Sequence, residues 1–186
     1  NHRLINADRP VWRTVTGGSR NYLNRLIEPL GGKVRLGSPV RSVHRADNGV
    51  TVDTGAGAPQ LFDRVIFAGH SNQTLNMIAD ASADEKRILG NIGYRPNRVV
   101  LHRDPSFMPK RRAAWSAWNY LRSSGPEPEI AMTYWMNRLQ GIDYAKPLFV
   151  TLNPGREPAK GSVFGEWSYE HPQFDAAAMA AQREIN

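Results

Sequence analysis

The chain has 186 residues, of which 40% are hydrophobic, enough to build one domain of ordinary size or one compact domain with a piece of another. It has no Cys, which excludes disulfide staples, thiolate metal sites and a Cys nucleophile and leans toward an intracellular setting. Its 24 Lys and Arg against 17 Asp and Glu give a net charge of +7, which admits nucleic acid, anionic lipid or a phosphate-rich ligand without choosing among them, while no apolar run approaches the ~20 residues that span a bilayer.

The sequence begins Asn1, His2, Arg3 and stops at Ile185 and Asn186, inside a helical stretch that starts near Asp175. An interior fragment of a longer protein is therefore expected. In "TVTGGSRNYLNRLIEPLGGKVRL" a glycine pair leads to Ser19, and Leu23, Leu26, Ile27 and Leu30 recur at helical spacing. That pattern predicts a short amphipathic helix, with Pro29 uncomfortable in its last turn and Gly31 and Gly32 ending it. "KVRL" and "VRSVHRA" read as strands, and Asn48 with Gly49 predicts a tight hairpin into "VTVDT". Val65 to Ala68 form one unbroken apolar run, the pattern of a strand covered on both faces.

Ser82 and Glu85 have capping-box spacing, which predicts a second helix to about Gly90. Beyond it only strands are expected, near Arg98 to His102, Trp115 to Leu121, Ile130 to Trp135, Leu148 to Leu152 and Val163 to Tyr169. The loops between them include "SSGPEPE" and "NPGREPAKG". Short turns between neighbours favour antiparallel pairing, so the expected class is α+β with a mixed, mostly antiparallel sheet.

Several chemistries find no support. "GAGA" at Gly55 to Ala58 lacks the third glycine of a dinucleotide loop and opens no helix. The five histidines, His2, His44, His70, His102 and His171, show no metal-ligand spacing, and no serine sits in a GxSxG turn. Residues 98 to 112 carry Arg98, Arg103, Lys110, Arg111 and Arg112 against Asp104, followed by Trp115 and Trp118. Basic grooves with stacking aromatics occur in nucleic-acid modules, yet Lys110 to Arg112 follow Pro109 in a loop-like stretch, where such clusters are usually solvated. A non-catalytic module for nucleic acid or acidic lipid is the rival reading. On a strand, Trp118 and Tyr120 share one face and Trp115 the other, while Met132 and Tyr134 oppose Thr133 and Trp135. Such faces fill a core or wall a pocket.

Taken in order, "VTGGSRNYLNRLIEPLGGKVRLGSPVRSV", "NGVTV" and "FDRVIFAGH" resemble the middle of the flavin-containing amine oxidase and phytoene desaturase superfamily. "SAWNYL" and "TYWMNRLQ" resemble a bacterial subgroup of FAD-dependent amine oxidoreductases, so that the likeness covers about residues 11 to 175. The resemblance implies three parts: a partial FAD-binding domain in residues 1–70, a substrate-binding domain with an antiparallel sheet in 71–170, and the start of a helix returning to the FAD domain in 171–186. By the same resemblance, Val40, Ala68 and Gly69 approach the adenosine half of FAD. Gly17, Gly18 and Ser19 lie near the flavin ring, and Asn21 stands where a Gln often faces flavin and substrate. Trp118, Tyr120 and Trp135 are the candidates for a substrate wall; no catalytic residue is assigned and no metal is implied.

The activity implied is removal of a hydride from a small-molecule amine or lipid-like substrate by an enzyme of cytoplasmic or membrane-peripheral location. Many amine oxidases place a Lys just before the strand that matches "RVVLH"; here Asn97 and Arg98 occupy that region, which adds weight to a lipid-like substrate. The family's GxGxxG fold and last flavin segment have no counterpart in these 186 residues, so this piece alone is expected to hold little or no FAD and to be inactive.

Overall fold

The computed structural model describes residues 13–122 and 130–185; His2 and the expected "SSGPEPE" loop lie outside the described residues. In chain order these form α1 (Ser19–Ile27), β1 (Ser42–Ala46), β2 (Gly49–Asp53), β3 (Gln60–Phe62), α2 (Ser71–Met77) and α3 (Ala83–Gly90). There follow β4 (Tyr94–His102), β5 (Trp118–Arg122), β6 (Ile130–Trp135), α4 (Met136–Gln140), β7 (Phe149–Leu152), β8 (Val163–Pro172) and α5 (Ala176–Gln182). The mixed α+β class with antiparallel pairing is thus the observed one. The chain divides into two compact units, Asn1–Val34 with Arg98–Trp167, and Arg35–Asn97 with Ser168–Asn186.

In the unit of residues 35–97 and 168–186, the hairpin forms as the Asn-Gly signal requires. Ala46 pairs with Gly49, so the two turn residues are Asp47 and Asn48, one step earlier than expected. β3 completes an antiparallel meander on the free edge of β2. α2, which the sequence pattern did not reveal, is followed by a parallel bridge from Ile78 to Val43, and the Ala79 N–H donates to the Val43 carbonyl at 2.9 Å. α3 starts where the capping box predicts: the Ser82 hydroxyl accepts from the Glu85 N–H at 3.1 Å, and the Glu85 carboxylate accepts from the Ser82 N–H at 2.7 Å. α2 and α3 therefore group with the meander in the unit that contains residues 35–97.

Two expected strands are absent. Lys33 to Leu36 leave the positive-φ pair Gly31 and Gly32 as irregular chain, with Leu36 87% exposed. Val65 to Ala68 join no ladder, and Ile66 is 92% exposed. A strand covered on both faces needs partners along both edges; among the described residues this run has none, and only Val65 and Phe67 turn inward, toward a small cavity of ≈190 Å³ lined also by Val43, Val50 and Ile78.

In the unit of residues 13–34 and 98–167, α1 ends at Ile27, and Pro29 falls instead in the first turn of a 3-10 segment, Glu28–Leu30, where no amide donor is missed. The large sheet has the order β5-β6-β7-β4-β8. Its buried face carries Val100, Ala131, Trp135 and Phe149, and the loop after β4 covers that face with Phe107, Met108 and Trp115. Trp115 meets Trp135 edge to face at 5.1 Å and Phe149 at 5.8 Å, and its indole N–H donates to the Pro109 carbonyl at 2.8 Å. α4 departs from the strands-only expectation beyond residue 90. Fully buried Asn137 explains the turn that follows it: its amide donates to the Asp143 and Lys146 carbonyls and its oxygen accepts from the Leu148 N–H, each at 2.8 Å.

Candidate functional site

Strand alternation and register decide what the large sheet offers to a ligand. Trp118 pairs with Tyr134, Tyr120 with Met132, Met132 with Leu152 and Tyr134 with Val150. These side chains share the face opposite the Trp115–Trp135–Phe149 core, since successive residues of a strand alternate. Trp118 is 47% exposed and Tyr120 69%, and the Trp118 and Tyr134 rings meet edge to face at 6.0 Å. Removal from water pushes the Tyr134 phenol up from its ordinary value, and the neighbouring Tyr120 adds to the shift. Two phenols and an indole thus gather on one accessible, otherwise apolar surface.

Trp135, expected on the same wall as Trp118 and Tyr120, points the other way. It is buried with Met108, Trp115 and Phe149 because it sits one residue after Tyr134 on β6. Tyr134 takes its place on the aromatic face. The signal for this was in the sequence, since alternation separates Tyr134 from Trp135; only the register, which brings Tyr134 opposite Trp118, could join it to the wall.

The buried face is also where a polar chain crosses the sheet. The His102 Nε2–H donates to Thr151 Oγ1 at 2.8 Å, and the Thr151 and Thr133 hydroxyls lie 2.8 Å apart. The Asp104 N–H donates to His102 Nδ1 at 3.1 Å, which makes Nδ1 the acceptor and leaves the proton on Nε2. Burial holds the His102 pKa below its ordinary value, with Asp104 opposing and Arg156 reinforcing that effect. These groups satisfy one another inside the core and hold the sheet together; none of them reaches the aromatic face.

The glycine segment is built as its sequence requires. Gly17 has φ +80° and Gly18 φ +87°, the left-handed region that glycine enters freely. Asn21 folds back to donate from its side-chain amide to the Thr16 carbonyl at 2.8 Å, and a Cβ on Gly17 would collide with that amide. A Cβ on Gly18 would meet nothing within 4 Å, so the backbone there is open to close approach. Ser19 begins α1. Val40 is 36% exposed just before β1, and Ala68 and Gly69 are exposed just before α2. A Cβ on Gly69 would meet only the Gln73 Oε1, at 3.9 Å.

Arg98 does not stand in for the lysine of the amine oxidases. Its guanidinium is gripped by Glu157 at 2.6 and 2.8 Å and by Glu166 at 2.6 and 2.9 Å. Asn97 donates to the Arg95 carbonyl and meets His171 Nδ1 at 3.0 Å. The basic cluster is partly committed too: the Arg112 guanidinium lies 4.5 Å from the Trp115 ring centre and 5.6 Å from that of Trp135, which ties it to the core. Among the described residues no group of three His, Asp or Glu side chains is placed to hold a metal ion, and no helix is long and apolar enough to cross a membrane.

The described residues thus comprise an antiparallel sheet with an exposed aromatic face, an open glycine turn and a three-stranded meander. The model of the flavin-containing amine oxidoreductases matches residues 1–139, and the chain belongs to that family. Among solved structures it is similar to the CLA-producing fatty acid isomerase from P. acnes, with a TM-score of 0.55 at 12% identity over 89% of this chain. At that identity the likeness concerns the fold, and the chain spans 43% of the length of that structure. No curated protein matches the sequence.

Proposed function

We propose that the chain supplies the substrate wall and part of the cofactor framework of an FAD-dependent oxidoreductase that removes a hydride from a small amine or lipid-like molecule. The observation that carries this reading is the accessible face of Trp118, Tyr120 and Tyr134, formed on a sheet of a flavin-family chain whose opposite face is fully occupied by its own core. Flavin, when bound, accepts the hydride. The open backbone at Gly18 fits close approach by a flat ring, and the uncrowded, exposed backbone at Gly69, with Ala68 and Val40, fits the adenosine half. Ser19 opens the helix after the glycine turn, and Asn21, its amide donating to the Thr16 carbonyl, acts by fixing that turn.

On the other side of the reaction, Trp118, Tyr120 and Tyr134 exclude water and orient an apolar or aromatic substrate by area, and their ring faces attract a cationic amine where the substrate has one. At neutral pH the raised Tyr134 phenol stays protonated, so it can offer a hydrogen bond to substrate and does not act as a base. The test is optical. The protein expressed from its whole reading frame is expected to show visible flavin absorbance, after FAD titration if purified without it, and anaerobic addition of an amine or an unsaturated lipid is expected to bleach it. A folded protein that takes up no FAD would overturn the proposal.

A further inference from the structure

Beside Trp118 lies a cleft of ≈740 Å³ lined by Arg13, Thr14, Ser116, Ala117, Trp118, Arg138 and Leu139. That volume is in the range of small-molecule sites, roughly 300–1,000 Å³. Arg45, Arg87 and Arg98 each sit on two carboxylates. Arg13 and Arg138 have no acidic partner among the described residues, although both border the same cavity. Two guanidiniums with the Thr14 and Ser116 hydroxyls give the cleft's lining hydrogen-bond donors and positive charge. Ala117, Leu139 and Trp118 give the same lining apolar area, and Trp118 belongs to the sheet face that carries Tyr134, Met132, Val150 and Leu152.

A cleft that combines two cations with apolar lining beside an apolar wall suits an amphipath of opposite charge. We propose that this cleft binds the carboxylate of an organic acid, its two oxygens taken by Arg13 and Arg138, with the apolar chain laid along Trp118 and Tyr134. Planar guanidinium forks match a carboxylate in two-point geometry, and each such bond is stronger than a neutral one. The proposal rests on the reading of this face as the substrate wall and narrows it: an amine without an acid group would be repelled by the same pair of charges. It assigns Arg13 and Arg138 to binding.

Titration calorimetry of the purified protein with decanoate, decylamine, decanol and decyl phosphate decides the matter. Decanoate is expected to bind at least about tenfold more tightly than decylamine or decanol, and Arg13→Gln and Arg138→Gln are each expected to cut decanoate affinity about tenfold while leaving decanol unchanged. Arg138→Lys should recover part of the loss. Because both residues lie at the surface, an unchanged circular dichroism spectrum separates lost binding from lost folding. Equal affinity for decanoate and decylamine, a decanoate preference that survives in the double variant, or decyl phosphate binding more tightly than decanoate would each overturn the carboxylate assignment. The flavin reading stands or falls separately, on visible absorbance: a flavin-bearing protein without acid preference refutes only this proposal, and an acid-binding protein that takes up no FAD refutes only the former.

Discussion

His102 has no exposure to solvent, and its two ring nitrogens are identified by their partners. A neutral ring inside a sheet couples folding to pH. Its folded pKa is depressed, so its contribution is complete above the unfolded value of about 6.5 and shrinks as pH falls through that value, where only the unfolded chain takes up the proton. The thermal midpoint is therefore expected to fall between pH 7 and pH 5. His102→Gln should cost about 2 kcal/mol at neutral pH by leaving Thr151 and the Asp104 amide poorly partnered, and should flatten the dependence in that window. A variant as pH-sensitive as the parent in melts at pH 7, 6 and 5 would contradict this assignment. None of the network was legible in the sequence: the strands were, but a histidine that pairs diagonally with a threonine 49 residues away needs the β4–β7 register to be seen.

At the scale of elements, local signals were reliable and edge partners were not. The Ser82–Glu85 spacing fixed the start of α3 because both capping bonds are made within four residues. Glu85 does more than cap. Its carboxylate is held down to about pH 2, first by the Arg45 guanidinium and then by the Ser82 amide, whereas the unfolded value is about 4.5. A depressed carboxylate stabilises fully above the unfolded value and loses its effect as pH drops through the folded one, so acid should loosen this contact between pH 4.5 and 2. Glu85→Gln, which keeps the reach to the amide but not the charge, is expected to lower stability by about 0.5 kcal/mol at pH 7 and to blunt that acid loss; Ser82→Ala should cost about 1 kcal/mol at any pH. Melts at pH 7, 4 and 2 check both. By contrast, the apolar run from Val65 to Ala68 reads as a covered strand although no described strand pairs with it and only Val65 and Phe67 turn inward, because composition records burial but not which segment supplies it. The aromatic wall was half legible for a related reason: alternation marked Trp118 and Tyr120 as one face, while the choice between Tyr134 and Trp135 depended on register.

For the molecule taken whole, the charge of +7 has a structural distribution. The arginines at positions 45, 87 and 98 are paired with carboxylates, which leaves the positive excess to residues such as Arg13, Lys110, Arg111, Arg112 and Arg138. Family membership and the aromatic face meet in one claim, that substrate reaches the flavin across Trp118, Tyr120 and Tyr134. The direct measurement is the second-order rate constant for anaerobic flavin reduction in the whole protein, compared between the parent and Trp118→Ala. With an indole's apolar area lost from the wall, the constant is predicted to fall at least about tenfold while flavin absorbance and melting midpoint stay unchanged; an unaltered rate constant in a fully flavinated Trp118→Ala protein would contradict the account.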